Sequence, residues 1–187
     1  MRKILIALSL VIPSLLLPGC SAVSTFDKYA TLRFYEFSRT DIKYSHFDGE
    51  SGMLSSNPNF RNTMLPARIA DNNQWIDFTD DMGQVYKTFG NTLHRDTFPA
   101  GLEPIKEFVA WSQLPPMQRL IMRDTLNAKP EFTSINARLV LERGTNEPLL
   151  VFTGSSLPWE TAPQYAIDKV NAVRMLVNAR IWYEILK

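Results

Sequence analysis

Cysteine is nearly missing from this chain: one residue among 187, together with two histidines and eight glycines, none of which forms G-x-G. A single cysteine excludes a disulfide framework. Two histidines 48 positions apart, His46 and His94, without an H-E-x-x-H, give no basis for a histidine-rich zinc site. The glycine pattern excludes dinucleotide and P-loop phosphate binding. Gly154-Ser155-Ser156 runs on into Leu157 and so lacks the second glycine of a serine-hydrolase elbow. An excess of either charge is missing too. Twenty basic residues against 19 acidic give a net charge of +1, too little to hold a polyanion, so a nucleic-acid module is not expected. Tracts of low complexity, repeats and breaks in composition are absent, and 45% apolar residues argue against disorder and for one packed core.

What is present begins with Met1-Arg2-Lys3, a basic start, followed by an apolar run from Ile4 to Leu17. That is the pattern of a signal-peptide core, too short and too interrupted by Pro13 for a membrane-spanning helix of about 20 residues. The run ends in Leu17-Pro18-Gly19-Cys20. This resembles the lipobox of bacterial lipoproteins, with Pro18 departing from the small residue usual two before the cysteine. The resemblance implies that residues 1–19 are a lipoprotein signal peptide and that Cys20 becomes the first mature residue, carrying diacylglycerol on sulfur and a further acyl chain, such as palmitate, on its amine. It also implies the periplasmic side of a Gram-negative envelope. Ser21, in place of the Asp that favours inner-membrane retention in enterobacterial lipoproteins, implies the outer membrane. Three acyl chains would anchor the protein stably, since each buried methylene contributes about 0.8 kcal/mol.

Residues 20–28 are expected to form the lipidated tether. Eight extended residues, Ser21 to Lys28, reach no more than roughly 28 Å, so the body of the protein stays near the bilayer and its partner is membrane-associated. Residues 29–187 are expected to be a single α+β domain. Without Arg2 and Lys3 the mature chain keeps 18 basic against 19 acidic residues.

Within that domain, Ala30 to Phe37 reads as a first strand. Ser38 to Pro66 reads as a long irregular excursion, with Asp48-Gly49-Glu50-Ser51-Gly52 and Ser55-Ser56-Asn57-Pro58-Asn59 as turn clusters. Gln74–Thr79 and Gln84–Phe89 flank a turn and predict a hairpin. Leu102–Leu114 and Pro116–Asn127 predict two short helices, the second with Met117, Leu120 and Ile121 inward. Ser134–Glu142 and Pro148–Thr153 flank Arg143-Gly144-Thr145-Asn146-Glu147 as a second hairpin, with Asn136, Arg138 and Glu142 on its polar face. Thr161 and Gln164 form a capping box that predicts a long terminal helix, its stripe Ala166, Val170, Val173, Val177, Ile181 and Ile185 facing a sheet. The expected fold is an antiparallel sheet of about four or five strands packed against that helix, with the two short helices at one end.

The remaining candidates for chemistry are weak. Asp77, Asp80, Asp81 and Gly83 have the wrong spacing for a calcium loop. Glu103 and Glu107 share a helix face, as catalytic carboxylates do, but on its solvated side. Trp75, Trp111, Trp159 and Trp182 are scattered and read as core or interface residues. No catalytic residue, metal or cofactor is assigned. The leading expectation is a non-enzymatic binding or assembly module for another envelope protein. Its contacts would come from Met53 and Phe60 in the loop Asp48–Asn62, with Tyr44, Phe47 and Met64 nearby, and from Trp159. The alternatives are a carrier or sensor of a small apolar ligand such as a lipid, held beneath the terminal helix, and, more weakly, an envelope hydrolase.

Overall fold

The computed structural model describes residues 35–70, 73–81, 86–90, 92–154 and 161–185. The expected signal peptide (residues 1–19), the expected tether (residues 20–28, with Cys20) and Trp159 lie outside these residues. Eleven strands are described: β1 (Tyr35–Ser38), β2 (Lys43–Asp48), β3 (Met53–Leu54), β4 (Thr63–Met64), β5 (Ala67–Ala70), β6 (Trp75–Asp81), β7 (Tyr86–Thr88), β8 (Leu93–His94), β9 (Ala137–Leu141), β10 (Pro148–Thr153) and β11 (Gln164–Asp168). Four α-helices join them: α1 (Glu103–Ser112), α2 (Pro116–Asn127), α3 (Pro130–Thr133) and α4 (Lys169–Ile185).

The protein is α+β, and the strand pairings described are antiparallel. One ladder runs β1-β5-β6-β7 with β8 also on β6; the other runs β3-β2-β11-β10-β9 with β4 also on β2. Both expected hairpins are present. In the first, Thr79 pairs with Thr88 and Asp81 with Tyr86. In the second, Leu141 pairs with Pro148, and its turn needs Gly144 and Asn146 at positive φ (97° and 58°), a conformation that Gly adopts freely and Asn tolerates.

Residues alternate along the strands of the second ladder between two apolar clusters. Leu150, Phe152, Tyr165 and Ile167 enter the main core with Ile76, Phe78, Phe108 and Trp111, while Leu149, Val151, Ala166 and Phe47 form a smaller cluster. Both faces of β10 and β11 are therefore buried, which is why these strands read as continuous apolar runs. The edge of β9 is covered by Asn127 at the end of α2. Its side-chain amide accepts from Leu139 N–H (2.6 Å) and donates to Leu139 C=O (3.1 Å), imitating one rung of a further strand.

Three sequence expectations are corrected. The excursion from Ser38 to Pro66 contains β2, a strand paired with β11, and its Tyr44 and Phe47 are core residues. Two-sided pairing recruits β2, although the turn clusters after it mask its pattern. The capping box is not used: Gln164 begins β11, and the terminal helix starts at Lys169. Asp168 is its N-cap, accepting from Asn171 N–H at 2.8 Å. A helix over residues 164–168 would leave β2 and β10 without the backbone partner that β11 supplies. The third correction concerns the faces of the helices. Met117, Leu120 and Ile121 are exposed, whereas Leu126 is buried. On α4, Val170, Val173, Val177, Ile181 and Ile185 are exposed, and Asn171, Ala172, Met175, Ala179 and Trp182 are buried.

The buried face of α4 lies chiefly along α1 and also meets β6, β10 and β11. The small Ala172 and Ala179 and the large Met175 and Trp182 of this face are all part of the main core. Hydropathy marks both faces of this helix as apolar, so only volume tells which one fits.

Candidate interaction surface

The described residues leave twelve large apolar side chains exposed, and eight of them lie on just two helix faces. Scattered exposed apolar residues need no explanation, but contiguous ones do. Met117, Leu120 and Ile121 share the outer side of α2, within an arc of about 100°, while Met122 is exposed on a flank near the buried Leu126. Pro116 in its first turn and the preceding Pro115 set the start of that helix, and Trp111 of α1 donates its indole N–H to the C=O of Arg119 (3.0 Å), fixing its rotation. Leu126 alone of its apolar residues is fully buried. The second face is the Val and Ile stripe of α4, whose side chains are 39–70% exposed.

The remaining exposed residues, Met53, Phe60 and Met64, lie on the excursion after β2. Met53 and Phe60, two of the contacts proposed from sequence, are each 45% exposed. The excursion itself is firmly held, contrary to the expectation of few backbone bonds. β3 and β4 both pair with β2, Ser55 N–H donates to His46 C=O (2.9 Å), and Arg143 N–H donates to Gly52 C=O (2.9 Å). Glu142, expected on the polar face, is buried. Its Oε1 accepts from Leu54 N–H (3.0 Å) and its Oε2 from the Thr145 hydroxyl (2.7 Å).

Phe60 stacks on His46, with ring centroids 4.5 Å apart, and Tyr165 meets the same imidazole in an edge arrangement at 4.8 Å. His46, on β2 rather than in a loop, opens into a cleft of about 380 Å³ lined also by Glu50, Arg138, Gln164 and Thr161–Pro163. Arg138 donates to Gln164 Oε1 (2.7 Å) across it. The structure thus brings Phe60 to a polar cleft that sequence reasoning did not single out. His46, Arg138 and Gln164 come from three different strands, and only the strand order β2-β11-β10-β9 joins them. An imidazole, a guanidinium, a carboxamide and a carboxylate in an open cleft can hydrogen-bond a polar segment, and Phe60 gives that segment an apolar rim.

The other sequence candidates have structural roles. Asp77 is buried and held by Arg68 through two hydrogen bonds; burial raises its carboxyl above the ordinary value, against the opposing pull of the guanidinium. Glu103 pairs with Lys106 and Glu107 with Lys129, so the two acids do not act as a pair. Trp111 and Trp182 are core, and Trp75 packs on His94 with ring centroids 4.3 Å apart. Among the described residues, no three His, Cys, Asp or Glu side chains gather as a metal site, and no helix is long and apolar enough to cross a membrane.

Comparison with protein-family models, with curated proteins and with solved structures finds no match.

Proposed function

We propose that this chain is a lipid-anchored lipoprotein of a Gram-negative envelope, acting as a non-enzymatic binding or assembly module for a membrane-associated protein. The anchor reading rests on Leu17-Pro18-Gly19-Cys20 behind an apolar run, with Cys20 the sole cysteine. The binding reading is carried by one observation: apolar side chains concentrated on the solvent side of α2 and α4, where a water-soluble monomer gains nothing from them. The α2 face suits an adaptable contact, because Met117, an unbranched, polarisable side chain, lies between Leu120 and Ile121 on it. Met53 and Phe60 remain part of this proposal, with Phe60 as the fixed anchor at the rim of the His46 cleft.

The experiment is crosslinking in intact membranes, followed by capture of the full-length chain. Met117→Ser/Ile121→Ser should abolish a crosslinked species that the wild type forms, while the melting temperature stays within a few degrees. Phe60→Ala should weaken the same species. An unchanged crosslinking pattern in both variants would refute the binding reading.

A further inference from the structure

The geometry points to the outer face of α4 as a self-association surface on which a second copy of this chain packs its own α4 antiparallel. At 100° per residue, Val170, Val173, Val177, Ile181 and Ile185 fall within an arc of about 120°, its centre about 150° round from that of the buried arc of Asn171, Ala172, Met175, Ala179 and Trp182. The stripe extends for about 22 Å; apart from Arg174 and Glu184, which fall in the same arc, its side chains are β-branched aliphatics, stiff at χ1, that lose little entropy when covered. Its steps of three, four, four and four residues average above the 3.6 of a straight helix, so it winds around α4. Two such stripes therefore cross in the right-handed sense of i+4 ridge packing, with the middle residue, Val177, at the crossing.

The charges on this face select the occupant. Lys169 borders the arc at its N-terminal end, and Glu184 lies within the arc at its C-terminal end. A twofold axis through Val177 sets Val173 against Ile181 of the second copy and brings Lys169 beside Glu184 of the second copy, twice per pair. The two helix dipoles also oppose, which is favourable. A parallel pairing would instead bring two Glu184 carboxylates together. Arg174, which also falls within the arc, is held by Asp41 (3.1 Å), and Arg180 at its border is held by Glu184 (2.7 Å), so these two arginines offer little uncompensated positive charge to an anionic bilayer surface.

The area agrees with this choice. The stripe exposes on the order of 400 Å² per chain, and with the flanking Lys169, Arg174, Asn178, Arg180 and Glu184 a pair would bury about 1,000–1,200 Å² in total, the lower bound for a specific interface. The pairing does not require the lipid anchor. If that anchor holds the chain in a plane, the raised effective concentration favours the pair further. The face of α2 and the Phe60 rim then remain for the other partner.

The test uses the full chain in non-denaturing detergent, with Cys20 intact and as Cys20→Ser, its mass measured by sedimentation equilibrium over a range of concentrations. The wild type should form a dimer in both backgrounds, which separates this inference from the fate of the anchor. Val177→Asp places two carboxylates at the axis and should weaken the dimer more than a hundredfold with the fold intact. Lys169→Glu and Glu184→Lys should each weaken it about tenfold, and both suit the helix dipole, so neither should unfold α4. The double variant Lys169→Glu/Glu184→Lys should restore it. A monomeric wild type, a dimer indifferent to Val177→Asp, or a double variant no better than the single ones would overturn the inference. So would binding through the stripe to vesicles of anionic and zwitterionic phospholipid by a chain that stays monomeric.

Discussion

Arg95 shows how much one side chain can hold. Its Nε donates to Asn73 C=O (2.7 Å), Nη1 to Tyr183 C=O (2.8 Å) and Nη2 to Trp182 C=O (2.9 Å), so it satisfies carbonyls in the last turn of α4 that the helix itself leaves open. The same guanidinium lies 4.8 Å from the centroid of Trp182, adding a cation–π contact. Arg95→Ala should therefore cost about 2–4 kcal/mol in urea unfolding, and Arg95→Lys should recover little of it, because an ammonium cannot reproduce the planar fork. The Arg68–Asp77 pair makes the opposite kind of prediction. Removing one partner leaves a charge buried alone, so Arg68→Met should cost about 3–5 kcal/mol, while Arg68→Met/Asp77→Leu should be less damaging than the single change. The pH dependence follows from the sign of the Asp77 shift. Its carboxyl is raised in the folded state, so the folded protein binds the proton more tightly, and the resulting stabilisation is complete below the unfolded value near 3.8 and lost as pH rises through the folded one. The stability difference between wild type and Asp77→Asn should accordingly move against the wild type as pH increases across that window.

At the scale of elements, the two faces of α4 separate cleanly by mutation. Met175→Ala, inside the core, should cost about 2–5 kcal/mol through lost burial and the cavity left behind. Val173→Asp, on the outer face, should change dilute-solution stability by no more than about 0.5 kcal/mol, the usual range for an exposed site. A large loss of melting temperature in Val173→Asp would mean that this face is covered within the chain. The excursion after β2 behaves as part of the ladder. Replacing Asp48–Asn62 by a short Gly-Ser linker removes β3, strips Glu142 of the Leu54 N–H it accepts and takes Phe60 off His46. The expected result is a marked fall in melting temperature. Substituting side chains alone, as in Phe60→Ala, is therefore the cleaner probe of recognition.

At the scale of the whole molecule, a stretch that resembles a lipobox, Leu17-Pro18-Gly19-Cys20, precedes a folded body that keeps apolar surface outside. Cys20→Ala should abolish metabolic palmitate labelling and leave unprocessed precursor; wild-type protein that partitions into the aqueous phase of a detergent extraction would refute the anchor. Much of the body could be read locally. The turn at Gly144 and Asn146, the hairpin of β6 and β7, and the spans of α1 and α2 follow from turn chemistry, prolines and periodicity, which act within a few residues. The start of α4 could not, because Thr161 and Asp168 both offer a cap and only the gap between β2 and β10 decides that residues 164–168 extend as a strand. The His46 cleft was equally invisible, since strand order alone brings residues 46, 138 and 164 together. The orientation of α4 is the clearest case. The sequence by itself determined that this segment is a helix with apolar residues on opposite sides. Which side turns inward was decided by the tertiary structure, because hydropathy is nearly balanced between them and only packing against α1 and the strands, with the small Ala172 and Ala179 and the large Trp182 in the core, separates the two.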